Sequence, residues 1–304
     1  LLAGLVVVVL WASAFPAIRV AAPALGPVGL SLVRLAVAAV CLLVAAAVTR
    51  TRLPRGRDLG WVAACGLLGM TAYQLLLNTG ELHVPAGTAS IIVAAAPLVS
   101  VAVDAAVFHA RVSRLAIAGS LLALGGVAIV CLARAGLALS TAVWLVVAAM
   151  AVQGLYHPLQ QPLLARYSSL SVAASCMLAG TLMTLPFLPL GTERIAHAGV
   201  GAWVAAAYLG VMPSAVGFVL WAYAVARMPI SASTALLYLV PPVAVLLAWA
   251  WLHELPVTAE IVGGLVVIAG VVTVSLGERL DDGGRQAVRA GDARSAGRPA
   301  GARG

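Results

Sequence analysis

The sequence predicts an all-α membrane protein: ten transmembrane helices arranged as two inverted five-helix repeats. Three observations lead there. The first is composition. Of 304 residues, 63% are hydrophobic and 9% charged, and the mean hydropathy is +1.08. Soluble domains run at about 45–50% apolar and about 25% charged, so a water-soluble core could not hold this much apolar surface. The second is spacing. Apolar stretches of about 20 residues, the length that crosses a bilayer, follow one another with short breaks. The third is a match of the chain to itself at one constant shift.

The segments fall at about 2–20, 28–48, 59–80, 86–108, 114–133, 141–162, 169–190, 200–225, 230–252 and 257–276. The chain opens "LLAGLVVVVLW", without a methionine. "ASA" at 12–14 resembles a signal-cleavage site. No basic stretch precedes it and apolar character resumes at once, so the expectation is a first membrane helix with its first residues trimmed. After Gly277 comes "ERLDDGGRQAVRAGDARSAGRPAGARG", which has no apolar periodicity. Residues 277–304 are therefore expected to form a disordered cytoplasmic tail.

The self-match aligns "VPAGTASIIVAAAPLVSVAVDAAVFHA" at 84–110 with "MPISASTALLYLVPPVAVLLAWAWLHE" at 228–254. Pro85 meets Pro229, Pro97 meets Pro241, and His109 meets His253. Gly119 meets Gly263, and Gly126 meets Gly270. Prolines, a histidine and glycines at one offset outweigh chance matches among Ala, Val and Leu. The expected units are 1–134 and 139–276. An odd number of helices per unit makes consecutive copies enter the membrane from opposite sides. Inverted repeats of this kind are an architecture of secondary transporters working by alternating access. Pro97 and the pair Pro241–Pro242 are expected to break helices at matching places, as a central site or as packing kinks.

The net charge is +8, and all 18 basic residues are arginine. Without lysine, a Walker A loop and Schiff-base chemistry are excluded within these residues. With the N-terminus inside, Arg50, Arg52, Arg55, Arg57, Arg111, Arg114, Arg166, Arg227 and the six tail arginines lie inside. Only Arg134 and Arg194 lie outside. The positive-inside rule therefore predicts a multi-pass protein of the cell (inner) membrane with both termini cytoplasmic. The same distribution argues against nucleic acid as the partner of this basic chain. A lysine-free, Ala- and Arg-rich composition hints at a GC-rich bacterial genome.

Four cysteines, Cys41, Cys65, Cys131 and Cys176, stand singly in apolar segments, so filler is preferred to a disulfide or zinc set. No metal or cofactor is expected. "HELPV" and "FHARV" lack the second histidine of a zinc protease, and no nucleophile–base spacing supports an enzyme. Dense glycines, as in "GSLLALGG" at 119–126 and "GGLVVIAG" at 263–270, predict close helix packing. A half-to-half or homodimer contact is the further reading.

These pieces resemble the EamA family of the drug/metabolite transporter superfamily over residues 1–276. "LWASAFPAIR" at 10–19 is similar to that family's first-helix opening: Trp11, Ser13, Phe15 and Arg19 match, and Ala12 replaces a usual glycine. Arg34 resembles an arginine of the second helix, and residues 208–272 resemble the second-half signature. The family often carries an acidic residue beyond both the fourth and ninth helices. Here Glu254 fills the second place and Ala110 the first. The resemblance implies a ten-helix carrier and names no substrate.

Candidate residues follow from polarity inside apolar segments. Arg34 either receives a substrate carboxylate or braces the bundle; a mid-membrane arginine costs about 2.5–3.5 kcal/mol on insertion scales. Asp104 either carries a proton or substrate amine, or is tied to Arg111 or Arg114, the second being preferred. In "QGLYHPLQQP" at 153–162, Gln153, Tyr156 or His157, and Gln160 can share a face. His157 either relays protons or joins a hydrogen-bonded cluster. Trp11, Ser13, Phe15, Tyr73, Gln74, Asn78, Trp221, Tyr223 and Tyr238 are further cavity-lining candidates. Asp104, His157 and Glu254 are the proton-coupling candidates. Glu81, His83, Glu193 and His197 are read as solvated outer-loop residues. The expected function is a secondary carrier, an exporter by family analogy, of a small metabolite, amino acid or drug-like solute. Its partners are that solute and the lipid bilayer. The alternatives are a permease subunit of an ATP-driven complex and a membrane-embedded hydrolase.

Overall fold

A computed structural model describes residues 2–107, 114–133, 140–225, 236–274 and 276–277. Among them there is no strand. The first helix, Leu2–Val48, has 47 residues, about 70 Å at 1.5 Å per residue and more than twice the hydrocarbon thickness of a bilayer. It is broken at Gly26 (φ 71°, ψ 161°), between Pro23 and Pro27. Glycine alone adopts that backbone cheaply. The arms before and after the break are α1 (2–25) and α2 (27–48).

The remaining helices follow in order. α3 is Asp58–Gly80, and α4 joins Ala86–Val93 to Ala96–Val107. α5 is Arg114–Ala133, α6 Thr141–Leu159 and α7 Ser169–Thr184. α8 runs from Val200–Leu209 through Gly210–Val216 to Gly217–Val225. α9 is Val240–Leu252 and α10 Thr258–Val274. Among the described residues, and counting Leu2–Val48 once, seven helices are long and apolar enough to cross a membrane; α9 and α10 are shorter apolar helices. The predicted 141–162 stops at Leu159, just after Pro158. The predicted 169–190 stops at Thr184 and continues as a 3₁₀ turn, Leu185–Leu190, with prolines 186 and 189 inside it.

Two irregularities recur 144 residues apart. Wide π turns occupy Gly66–Ala72 in α3 and Gly210–Val216 in α8. Non-helical turns at 94–95 and 238–239 precede the restart of α4 and the start of α9. Proline explains the second pair. It lacks an N–H and clashes with the carbonyl four residues back, yet fits a helix's first turn, where that N–H needs no partner. Pro97, Pro241 and Pro242 therefore sit at helix beginnings, slightly past the breaks they cause. His253 (φ 55°) closes α9 in the left-handed conformation, so it ends a helix as its position predicts. His109, Ala110, Arg111, Arg134, Arg227 and the tail from 278 lie outside the described residues.

Glycines set the closest approach. A Cβ on Gly119 would lie 2.6 Å from the Gly270 carbonyl oxygen, and one on Gly126 2.7 Å from that of Gly263. α5 and α10 thus cross antiparallel, backbone on backbone, as small-residue pairs allow. Large apolar side chains point outward, among them Leu121, Leu182, Leu246 and Leu265, each more than half exposed. That is the surface hydrocarbon would solvate.

Candidate functional site

Polar chemistry gathers where α1, α2, α3 and the end of α9 meet. Arg19 Nε lies 3.1 Å from Glu254 Oε1. Its Nη1 donates to the carbonyls of Glu81 (2.6 Å) and Leu82 (2.9 Å). Those carbonyls close α3, where a helix leaves acceptors unsatisfied and a cation is favoured. Glu254 Oε2 accepts from the N–H of Ala86, the first residue of α4. One ion pair thereby fastens four elements.

Glu81 corrects a sequence expectation. It is fully buried rather than solvated, and neither carboxylate oxygen has a hydrogen-bond partner. It lies one residue past α3, where burial pushes its carboxyl well above the usual range; Arg19 and Arg34 pull it down, and Glu254 pushes it up. His83, Glu193 and His197 are exposed, as expected.

Arg34 is half-buried on α2. Its Nε donates to Ser214 Oγ at 3.1 Å, and it stands within electrostatic reach of Tyr73 and Glu81. Asn78, fully buried, donates through Nδ2 to Ser31 Oγ (2.9 Å). Ser214 lies in the π turn of α8, where Trp11 Nε1 donates to the Pro213 carbonyl at 3.0 Å. Trp11 also packs on Phe218 and Trp221, with ring centroids 6.0 and 5.3 Å away. Ser13 donates to the Leu10 carbonyl and shares a 2.6 Å hydrogen bond with the Tyr208 hydroxyl. The other π turn has a matching visitor: a Cβ on Gly69 would lie 2.3 Å from the Tyr156 ring. π turns widen a helix locally and recur at functional sites.

Arg34, Tyr73, Gln74 and Asn78 thus share one polar region, joined through Ser214 and Pro213 to Trp11. Phe15 is buried in the apolar core. Gln153 lies on α6, which packs against α3, and its Oε1 is buried without a partner. His157 is exposed, its ring 5.8 Å from that of Tyr156, and Gln160 caps the end of α6. Tyr223, on α8, is 52% exposed. Tyr238 donates to the Val271 carbonyl at 3.3 Å. Asp104 belongs to α4, but its side chain lies outside the described residues.

The opposite end of α3 carries a second ionic tie. Arg166 Nη1 lies 2.6 Å from Asp58 Oδ1, and the Tyr167 hydroxyl donates to Asp58 Oδ2 at 2.8 Å. That hydrogen bond is the main reason the Tyr167 hydroxyl titrates above its usual range. A separate cavity of about 340 Å³ lies among α4, α9 and α10. It is mostly apolar, with Thr88, Glu254 and Glu260 as polar members, and Pro241 and Pro242 line it; Arg34 does not. Among the described residues, no cluster of His, Cys, Asp or Glu could hold a metal.

The model of the EamA-like transporter family matches residues 1–132 and 140–276. The chain belongs to the EamA-like transporter family. It therefore moves a small solute across a membrane as a carrier. A relative from Streptantibioticus cattleyicolor, named "Probable terminal-alkyne amino-acid exporter", is 51% identical over 88% of this chain and 90% of its own. An uncharacterized transporter of Bacillus subtilis is 31% identical over 86% of each chain. A solved crystal structure covering 92% of this chain and 97% of its own shares the fold at TM-score 0.63 and 19% identity.

Ser214 and the Asp58–Arg166–Tyr167 tie carry no signal in the sequence; Arg19 is marked there by the family motif and not by its partner, and Glu81 reads as solvated. One signal pointed to Glu81. Gln74, Asn78 and Glu81 are spaced i, i+4, i+7, one face of a helix.

Proposed function

We propose that this chain exports an amino acid, or a small solute with the same zwitterionic head, across the cell membrane. The relative at 51% identity, named as an amino-acid exporter, carries the reading. A half-buried Arg34 facing Tyr73 and Glu81 supports it, because a guanidinium suits a carboxylate.

In this reading the protein has ten spans, with 1–134 and 139–276 as inverted halves and both termini cytoplasmic. The break at Gly26, the irregularities 144 residues apart, and the crossed pairs Gly119–Gly270 and Gly126–Gly263 support it. Gly119 meets the repeat mate of Gly126, and Gly126 that of Gly119, the pattern a two-fold axis between the halves would give. Alternating access breaks the Arg19–Glu254 tie at one end and the Asp58–Arg166 tie at the other, in turn.

Proton coupling belongs to the same proposal, with Asp104, His157 and Glu254 as its candidates. None of the relatives is named as part of an ATP-driven complex. The test compares metabolites released by cells with and without overexpression, repeated with Arg34→Ala. Export that appears with the wild type and vanishes with the variant supports the proposal; identical profiles in all three refute it. Uptake by inside-out vesicles that survives collapse of the pH gradient and membrane potential removes the proton.

A further inference from the structure

Buried polar atoms are nearly always hydrogen-bonded, and each exception asks for an explanation. Here the exceptions share one chemical sign. Gln74 Oε1, Asn78 Oδ1, both oxygens of Glu81 and Gln153 Oε1 are buried without a hydrogen-bond partner among the described residues. All five are drawn as acceptors.

At Asn78 the surroundings fix the amide orientation. The Ser31 hydroxyl spends its proton on the Pro27 carbonyl, at 2.7 Å. It can therefore only accept from Asn78, which fixes Nδ2 toward Ser31 and leaves Oδ1 bare. Glu81 has no such orientation to assign: with an ammonium beside it the carboxyl ionises, and both oxygens then only accept. Asn78 and Glu81 stand three residues apart, neighbours on one helix face. Gln74 extends the row one turn deeper. Gln153 lies at a similar depth on α6, since Gly80 meets Val146 and Gly69 meets Tyr156 along the antiparallel contact.

Bare acceptors call for a donor. Charge narrows the choice. Arg19 is paired with Glu254, so among the described residues the charges left in reach are Arg34 and, once a bound cation draws off its proton, Glu81. A lone metal or organic cation would leave an excess positive charge beside two arginines. A solute with both an ammonium and a carboxylate leaves the sum at zero.

We infer that Glu81 and Asn78 form a binding site for the ammonium group of the transported solute, with Arg34 taking its carboxylate. The inference rests on the export reading above and deepens it: it names the zwitterionic head as the recognised part and Glu81 as a substrate-binding residue. An ammonium offers three donors, and the Glu81 carboxylate and Asn78 Oδ1 supply acceptors on one face.

The test uses three probes. L-propargylglycine carries both head groups, but-3-yn-1-amine only the ammonium, and 4-pentynoic acid only the carboxylate. Two measurements are made on wild type, Glu81→Gln, Asn78→Leu and Arg34→Lys. One is the melting temperature of the purified full chain in detergent with each probe. The other is uptake of labelled L-propargylglycine into inside-out vesicles, competed by the other two probes.

The amine should raise the wild-type melting temperature. Glu81→Gln should weaken the amine's competition at least tenfold while leaving that of the acid intact, and Asn78→Leu should weaken it less. Arg34→Lys should do the reverse. A merely structural role for Glu81 would weaken both competitors equally, and that result overturns the inference. So does an amine that fails to shift the wild-type melting temperature. Amine shifts lost in Glu81→Gln, with no wild-type uptake, would uphold the site and refute export. Wild-type uptake with unchanged competition in Glu81→Gln would refute the site and leave export standing.

Discussion

Arg19 and Glu254 lie 235 residues apart and meet at 3.1 Å. The pair ties α1 to the end of α9, and through further bonds to the end of α3 and the start of α4. Its side chains are 26% and 19% exposed, so solvent screens it partly. Arg19→Ala also strips two helix-terminal carbonyls of a donor. Its expected cost is about 1–3 kcal/mol, read as a lower melting temperature in detergent. A double-mutant cycle with Glu254→Ala should return a coupling of about 1 kcal/mol. Additive effects would show that the contact is not a clasp.

The α5–α10 crossing makes a prediction with its own control. Gly119→Ala places a methyl against backbone that cannot move aside, and overpacking of this kind costs about 1–3 kcal/mol. Gly125→Ala, where nothing lies within 4 Å, should be neutral or slightly stabilising. Equal melting temperatures for the two variants would contradict the crossing.

Glu81 makes stability depend on pH. Burial raises its carboxyl in the folded state, chiefly against the pull of Arg19 and Arg34. The folded protein therefore holds this proton more tightly than the unfolded chain does. The contribution is present at low pH and is lost as pH rises through the shifted value. Melting curves across pH should show that loss in wild type, and Glu81→Gln should flatten it. A loss that persists in the variant would assign it to another group.

Asp58→Asn tests the opposite end. Tyr167 titrates high mainly because its hydroxyl donates to the Asp58 carboxylate. With a neutral partner the phenol should ionise at lower pH, seen as an earlier onset of phenolate absorbance in a difference titration. An unchanged onset would show that the hydrogen bond does not hold in the membrane protein.

Helix existence was largely legible, since runs of about 20 apolar residues are a strong signal. Helix ends were not. Proline positions were visible, but their place just inside a restarted helix depends on the backbone around them. Gly26 looked like any loop glycine and proved to be the break in one long helix. Residues chosen for polarity inside apolar segments, such as Arg34 and Asn78, fell in the polar region. Tyr223 obeyed the same rule and is 52% exposed, because composition does not reveal which way a helix is turned. Glu81 was missed for a related reason. A charged residue at the end of an apolar run reads as solvated unless other elements cover it.

Composition, the spacing of apolar runs and the shift of 144 residues are properties of the one-dimensional chain. They suffice for an all-helical membrane protein, because burial in lipid acts on each segment separately. Which acid pairs with Arg19, which oxygens stay bare on α3, and which aromatic ring fills each π turn were decided only in three dimensions. Those contacts join residues 87 (Gly69 and Tyr156) to 235 (Arg19 and Glu254) positions apart. Their energies depend on distance and burial, which close packing of helices creates and local sequence does not encode.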